Sequence, residues 1–397
     1  MLRLLVAHAS LHVPHYRRRF REAGLDPEGI RTLDDLERIP VTTKRDLQAA
    51  GAAETLSEGV DPAACITLHT SGSTGTPLAI HLTRWEWRVR SLVELRSLRA
   101  IGFSARDHIV SLGPQGQRPP SPLDRLGVFR TTIIPGALAP AEQLRRLESL
   151  APTVLWSYPS FLRSLRQAAG RPLGGFARPR LLVTSAEMLD ELLRAQLVAD
   201  LAVDPYNFYG SLEIGRIAAE CPAREGLHVN TDHVILESRN GDRPAGEDEP
   251  GTVLVTALNA RAMPFIRYRL GDRVVRLSKP CSCGSPFPLI APPLGREGDT
   301  IVLPSGRIVS PFWCFFVLRR HLDILRFRII QERVDHLTVL LVTQSPWPES
   351  TLAELRREVV EQIGEPVIVD VRVVDAIPEE KDKFRSFVSQ LPAAPEG

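Results

Sequence analysis

The chain has 397 residues, of which 43% are hydrophobic, with a mean hydropathy of −0.06 and a formal net charge of +2. That length exceeds one ordinary core, so more than one domain is expected, and 49 basic against 47 acidic residues leave no basic excess of the kind a nucleic-acid binder shows. No apolar run reaches the roughly 18 residues that span a bilayer, and the amino terminus puts its apolar run before its arginines, the reverse of a secretory signal, so a cytoplasmic protein is expected.

The first sixty residues read as helical and polar. "TLDDLERIP" leads into "TTKRDLQAA", where Thr42 or Thr43 is placed to cap a helix that carries Asp46 in its first turn. Next comes "HTSGSTGTPLAI" (69–80), a Gly/Ser/Thr run with apolar segments on both sides. Gly72 and Gly75 allow positive φ, and Ser71, Ser73, Thr74 and Thr76 add hydroxyls. Such a run suits a phosphate cradle and suits a polar hairpin turn about equally. It is not a Walker A loop, whose Gly-Lys-Ser/Thr ending is absent.

From about 80 to 240, β-type runs ("HIVSLG", "TTIIPG", "TVLWSY", "RLLVTS") alternate with Arg/Leu-rich helical segments, which argues for βαβ units and a mostly parallel sheet. From about 234 to 277 the texture changes to short strands divided by turns, as in a small antiparallel barrel or meander. After the Pro-rich "APPLGREGD", residues 312–320 and 350–363 read as helices, and "FRIIQE", "LTVLLVT" and "VIVDVRVV" as strands. The expected fold is therefore α/β. A large domain over 1–296 would combine doubly wound βαβ sheets with a small barrel-like part, and a small ferredoxin-like βαββαβ domain would occupy 297–397.

Five cysteines are too few for a secreted disulfide framework. Cys281 and Cys283 form a C-x-C-G knuckle that can present two thiolates to one ion; Cys221 and His228 would complete a closed, structural tetrahedral zinc set. Free thiols, or His233 in the fourth place, are the alternatives. Cys65 and Cys314 lie in apolar runs and read as core.

Four further segments give the Gly/Ser/Thr run its meaning: "YNFYGSLEIG" (206–215), "FIRYRLGDRV" (265–274), "GREGD" (295–299) and "PEEKDKFR" (378–385). In this order they resemble the adenylate-forming (acyl-CoA synthetase-like) superfamily, in particular its phenylacetate–CoA ligase and coenzyme F390 synthetase branch, over nearly the whole chain. The resemblance implies that Thr70, Ser71, Gly72, Ser73, Thr74 and Gly75 wrap the ATP β- and γ-phosphates. It implies that Ser185, Ala186 and Glu187 border the adenine, and that Tyr209, with Gly210 and Ser211 beside it, stacks on or flanks that ring. Glu213 would ligate Mg²⁺ and Asp272 would accept hydrogen bonds from the ribose hydroxyls, while Arg269 or Arg296 would approach the phosphate. Asp299 matches the hinge about which a mobile carboxy-terminal lid turns. Lys383 stands where the family has its catalytic lysine; Lys381 competes for that register, and Asp382 replaces the usual preceding glycine.

The implied activity is ATP-dependent conversion of a carboxylic acid, aryl or arylacetic for preference, to an acyl adenylate, then transfer to coenzyme A. The resemblance also supports closeness of the cysteine segments. The segment "PQGQRPPSPLDRLGVFR" departs from the family, being short, Pro-rich and nearly free of aromatics, so the acid is less defined than the nucleotide side. Trp156, Tyr158, Pro159 and Phe208 are the candidate pocket residues. An amine or hydroxyl acceptor in place of coenzyme A is one alternative, and a catalytically inactive nucleotide-binding protein is another. Small molecules are the expected partners, without nucleic acid or membrane, and a homodimer stays open.

Overall fold

A computed structural model of the chain describes every residue except 71–76, 114–125, 190, 297–300, 310, 312–313, 315–316, 319–320, 322, 378–385 and 392–397. The chain divides into two units, one made of Met1–Leu189 and Leu193–Pro293, the other of Asp190–Leu192 and Leu294–Gly397.

The larger unit begins with helices α1 (Leu2–His12), α2 (Pro14–Glu22) and α3 (Lys44–Thr55). Pro14 opens α2 where its missing N–H has no helical partner to lose. Thr43 is the cap of α3. Its hydroxyl accepts from Asp46 N at 3.2 Å and the Asp46 carboxylate accepts from Thr43 N at 2.8 Å, a reciprocal capping box. Thr42 serves elsewhere, pairing with the backbone of Arg267 and Arg269.

Strands β1 (Ile66–His69) and β2 (Ala79–Leu82) form an antiparallel hairpin in the register His69↔Ala79, so the Gly/Ser/Thr run joins two paired strands. Helix α4 (Arg84–Ala100) follows, started by a second capping box between Thr83 and Glu86.

Next come β3 (His108–Gly113), β4 (Arg130–Pro135), α5 (Pro140–Leu150), β5 (Val154–Ser157), α6 (Pro159–Ala169), β6 (Leu181–Ser185), α7 (Glu191–Leu201), β7 (Tyr206–Ser211), β8 (Gly215–Glu220) and β9 (Leu227–Val229). The sheet order is β9-β8-β7-β6-β5-β3-β4, parallel from β4 to β7 and antiparallel from β7 onward. One face packs Val110, Leu112, Leu155 and Leu182 against Leu144, Leu162 and Leu197 of α5, α6 and α7. The other packs Ile109, Val183 and Phe208 with Leu98 of α4. Burial on both faces explains why these strands read as continuous apolar runs rather than alternating ones.

Strands β10 (Val234–Asn240), β11 (Arg243–Pro244), β12 (Pro250–Ala257) and β13 (Tyr268–Val275) run antiparallel in the order β11-β10-β12-β13, the meander expected from the short strands and turns. Strand β14 (Leu289–Ile290) then returns to pair with β9.

The smaller unit holds β15 (Gly295–Arg296), a hairpin of β16 (Ile301–Val302) and β17 (Ile308–Val309), then β18 (Ile324–Arg333), β19 (His336–Thr343), α8 (Glu349–Ile363), β20 (Ile368–Val373) and β21 (Phe387–Ser389). Its four-stranded sheet has the order β20-β19-β18-β21. β18 and β19 are an antiparallel hairpin, whereas β20 is parallel to β19 because a helical crossover, α8, separates them. Cys314 is buried and Cys65 half-buried. Among the described residues, no helix is long and apolar enough to cross a membrane.

Candidate active site

The carboxyl ends of β5, β6 and β7 open at one edge of the large sheet, next to the point where β8 reverses direction. Such edges are where open α/β sheets bind ligands. The reversal is a tight turn over 211–215 with a register shift after Tyr209. A Cβ on Gly210 would fall 2.3 Å from the Gly215 carbonyl oxygen, so only glycine permits this approach.

Glu213 lies on this turn, and two neighbours fix it. The Tyr268 hydroxyl, on β13, donates to Glu213 Oε1 at 3.2 Å. Arg90 of α4 donates to the Leu212 carbonyl at 2.8 Å and to that of Glu213. Burial lowers the Arg90 guanidinium to about 10, still charged at neutral pH. Two residues before the turn, the buried Tyr209 donates its hydroxyl to Asp272 Oδ2 at 2.7 Å. Asp272 follows Gly271, whose φ of +79 suits glycine. Residues far apart in the chain thus bring two carboxylates to one sheet edge, each met by a tyrosine hydroxyl.

The acid-pocket candidates converge beside them. Trp156, at the end of β5, donates its indole N–H to Ser185 Oγ at 2.8 Å and meets Phe208 edge-on, with ring centroids 5.8 Å apart. Pro159 starts α6, where the Glu187 carboxylate accepts from both the N–H and the hydroxyl of Ser160 at 2.8 Å. Glu187 therefore caps a helix across the sheet edge, next to Ala186 with a φ of +68, uncommon for a residue with a Cβ. Burial raises the Tyr158 phenol above its ordinary value. Arg216 lies over the rings of Phe208 and Trp156, with its carbon Cζ 4.9 and 5.4 Å from their centroids, and its Nε and Nη2 donate to Glu94 of α4 at 3.0 and 3.1 Å. Arg216 is buried and Glu94 only partly so, and deleting Glu94 would leave the guanidinium without its carboxylate.

Thr70 closes the base of the Gly/Ser/Thr run. Its hydroxyl accepts from Leu78 N at 2.9 Å, and its N–H donates to the Leu78 carbonyl. Ser71, Gly72, Ser73, Thr74 and Gly75 lie outside the described residues, as do Asp299, Lys381 and Lys383. Arg269 is exposed in the larger unit and Arg296 exposed in the smaller one. Arg267, one strand position from Tyr268, is buried and ion-paired with Glu237 at 2.9 Å.

The cysteine cluster assembles in the larger unit. Cys221, His228, Cys281 and Cys283 offer ligand atoms that all lie within 4.8 Å of one another. Cys221 Sγ is 3.5 Å from Cys281 Sγ, and Cys283 Sγ is 3.2 Å from His228 Nε2. His228 Nδ1 stands 2.8 Å from the Phe287 carbonyl oxygen, which can only accept, so Nδ1 donates there and Nε2 faces the thiols. Gly284, with a φ of +76, donates to the Cys281 carbonyl and closes the knuckle. Three thiols and one imidazole suit a closed tetrahedral zinc site. His233 contacts the Ile214 carbonyl and Asn259 instead, outside the cluster.

Sequence reasoning missed Tyr268, Arg90, Glu94 and Arg216. Tyr268 follows the apolar pair Phe265–Ile266 closely and reads as core; the other three read as ordinary surface charges.

Comparison with known proteins bears on this geometry. Residues 306–390 match the CapK C-terminal domain. The chain is 31% identical over 396 residues to a phenylacetate-coenzyme A ligase of Thermus thermophilus, covering 94% of this chain and 84% of that protein. It is also 31% identical over 286 residues to a phenylacetate-coenzyme A ligase of Escherichia coli, covering 68% and 64%. Among solved structures, a 2-hydroxyisobutyryl-CoA ligase in its postadenylation state, in complex with R3-HIB-AMP, shares the fold with a TM-score of 0.83 at 21% identity, over 98% of this chain and 88% of that one. An anthranilate CoA ligase in complex with anthranoyl-AMP gives 0.61 at 16% identity, over 79% and 63%.

Proposed function

The chain belongs to the phenylacetate–coenzyme A ligase family of adenylate-forming enzymes, and from that premise we propose that it is an AMP-forming acid–CoA ligase favouring an aryl or arylacetic acid. In the first half-reaction a carboxylate oxygen attacks the α-phosphate of ATP, giving acyl adenylate and pyrophosphate. In the second, the thiol of coenzyme A takes the acyl group and AMP leaves.

The observation that carries this reading is the pairing of Glu213 and Asp272 with Tyr268 and Tyr209 at the carboxyl edge of the parallel strands. Asp272 would receive the ribose hydroxyls, and the rigid hydrogen bond from Tyr209 would hold its carboxylate in place. Glu213 would hold the magnesium ion, which when bound neutralises charge on the triphosphate. The segment 70–75 would take the departing pyrophosphate. Lys383 would bridge the acid's carboxylate and the α-phosphate, and Asp299 would be the hinge. Charge development in this reaction would be met by positioned charged groups, so the protein would supply orientation and electrostatics rather than covalent chemistry.

ATP–pyrophosphate exchange measured across aryl, arylacetic, fatty and amino acids tests the proposal, with coenzyme A added in a second arm. Exchange dependent on an aromatic acid, and thioester formed on adding coenzyme A, is the expected result. Exchange with no acid despite ATP binding overturns it; exchange without thioester moves the acceptor to an amine or hydroxyl.

The cysteine cluster would hold a structural zinc that staples the β8–β9 segment to the 281–284 knuckle. Metal analysis of freshly purified protein should find about one zinc per chain, lost in Cys283→Ser together with thermal stability. Metal-free, equally stable wild-type protein would remove the assignment.

A further inference from the structure

We infer that Arg216 selects the acid, and that the preferred substrate is an aromatic acid bearing a neutral hydrogen-bond acceptor on its ring, such as a hydroxyl or ether oxygen. The inference rests on the acyl-activation reading above and adds a specificity residue and a substrate feature to it.

An aromatic-walled pocket for a plain hydrocarbon ring would need no cation. Here a guanidinium lies over both the core residue Phe208 and the half-buried Trp156, the two rings proposed for the acid side. Its side chain is 8% exposed, yet Glu94 uses only Nε and Nη2. Among the described residues, the Nη1 edge makes no hydrogen bond. An arginine offers five N–H donors in a fixed plane, so with Glu94 on one edge and the aromatic faces against it, the remaining edge is oriented before any ligand arrives.

The sign of the ligand follows from the pair. Arg216 and Glu94 together are neutral, and their mutual contacts already satisfy the charge. A second carboxylate on the substrate would enter a buried site with no net positive charge to offset its desolvation. A bare ring would displace solvent from Nη1 and offer it no acceptor. A neutral acceptor avoids both costs, and a site built to bond such a group discriminates strongly against analogues lacking it.

Adenylation kcat/KM is to be compared for phenylacetate, its ring-hydroxylated and ring-methoxylated forms, and its ring-carboxylated form. The best hydroxylated or methoxylated acid should exceed phenylacetate by at least about tenfold, with the dicarboxylic acid poorest. Arg216→Lys keeps a cation for Glu94 but loses the planar donor edge, and should bring the ratio close to one whatever its effect on the rate with phenylacetate. The double variant Arg216→Leu with Glu94→Leu, which strands no charge, should do the same. A purely structural ion pair would lower activity toward all the acids alike and leave the ratio unchanged; that result, or phenylacetate equal to the substituted acids in the wild type, overturns the inference alone. Exchange with none of these acids would instead overturn the acyl-activation reading and this inference with it.

Discussion

Replacing Glu213 by glutamine is expected to slow acid-dependent ATP–pyrophosphate exchange by about 10²–10³-fold without loosening the fold. The substitution is isosteric, and the amide oxygen can still accept from Tyr268, so the hydrogen bond at 3.2 Å need not be lost. The Arg90 contacts go to the backbone carbonyls of the turn and are untouched. What disappears is one negative charge, and a hard dication depends on anionic oxygen. The deficit should shrink as magnesium is raised, since weaker metal binding is its cause. Tyr268→Phe gives a milder defect of about ten- to a hundredfold, because it removes only a hydrogen bond to a charged group while Glu213 keeps its charge. Wild-type exchange by Glu213→Gln at limiting magnesium would show that this carboxylate serves the turn and not the metal.

The second large effect concerns Lys383. Changing it to alanine should reduce exchange by about 10²–10³-fold, the range found when one positioned donor to developing charge is deleted. The chain contains lysine only at 44, 279, 381 and 383, so an ammonium is not a common surface group here. Thioester formation from acyl adenylate supplied directly should survive in Lys383→Ala, because the lysine would act in the first half-reaction only. Lys381→Ala is the control and should remain close to wild type. An inactive Lys381→Ala beside an active Lys383→Ala would move the register by two residues.

The parts of the fold that were legible in the sequence are those encoded locally. Alternating apolar and amphipathic segments between 80 and 240 gave the parallel sheet, since their periodicity lies within each segment. Thr43 with Asp46 gave a helix start, because a capping box spans four residues. Tyr209, Asp272 and Glu213 were read from fixed motif order and the cysteine set from its C-x-C-G knuckle, and the structure brings Tyr209 to Asp272 and the cysteines to His228. The supporting groups could not be found that way. Tyr268 reaches Glu213 across 55 residues, Arg90 reaches its carbonyl across 123, and Glu94 reaches Arg216 across 122. No local pattern marks such partners; they exist only once β13 and α4 are placed beside the β7–β8 turn. Glu187 shows the converse. Motif order drew it beside the adenine, and only the folded chain reveals its hold on the start of α6.

Helix α4 carries Arg90 and Glu94 one turn apart, the first gripping the turn that presents Glu213, the second gripping Arg216 over the acid-side rings. One helix therefore supports the proposed magnesium ligand and the proposed acid-side arginine together. A change in its seating, such as shrinking the buried Val93 between them, would retune magnesium dependence and acid preference in a single step. On the proposed function, a lineage that altered acid choice through α4 would drag its nucleotide step along, and one that altered Trp156 would disturb Ser185 through the indole hydrogen bond. Under that reading, neither side of the proposed acid site changes without touching the nucleotide side.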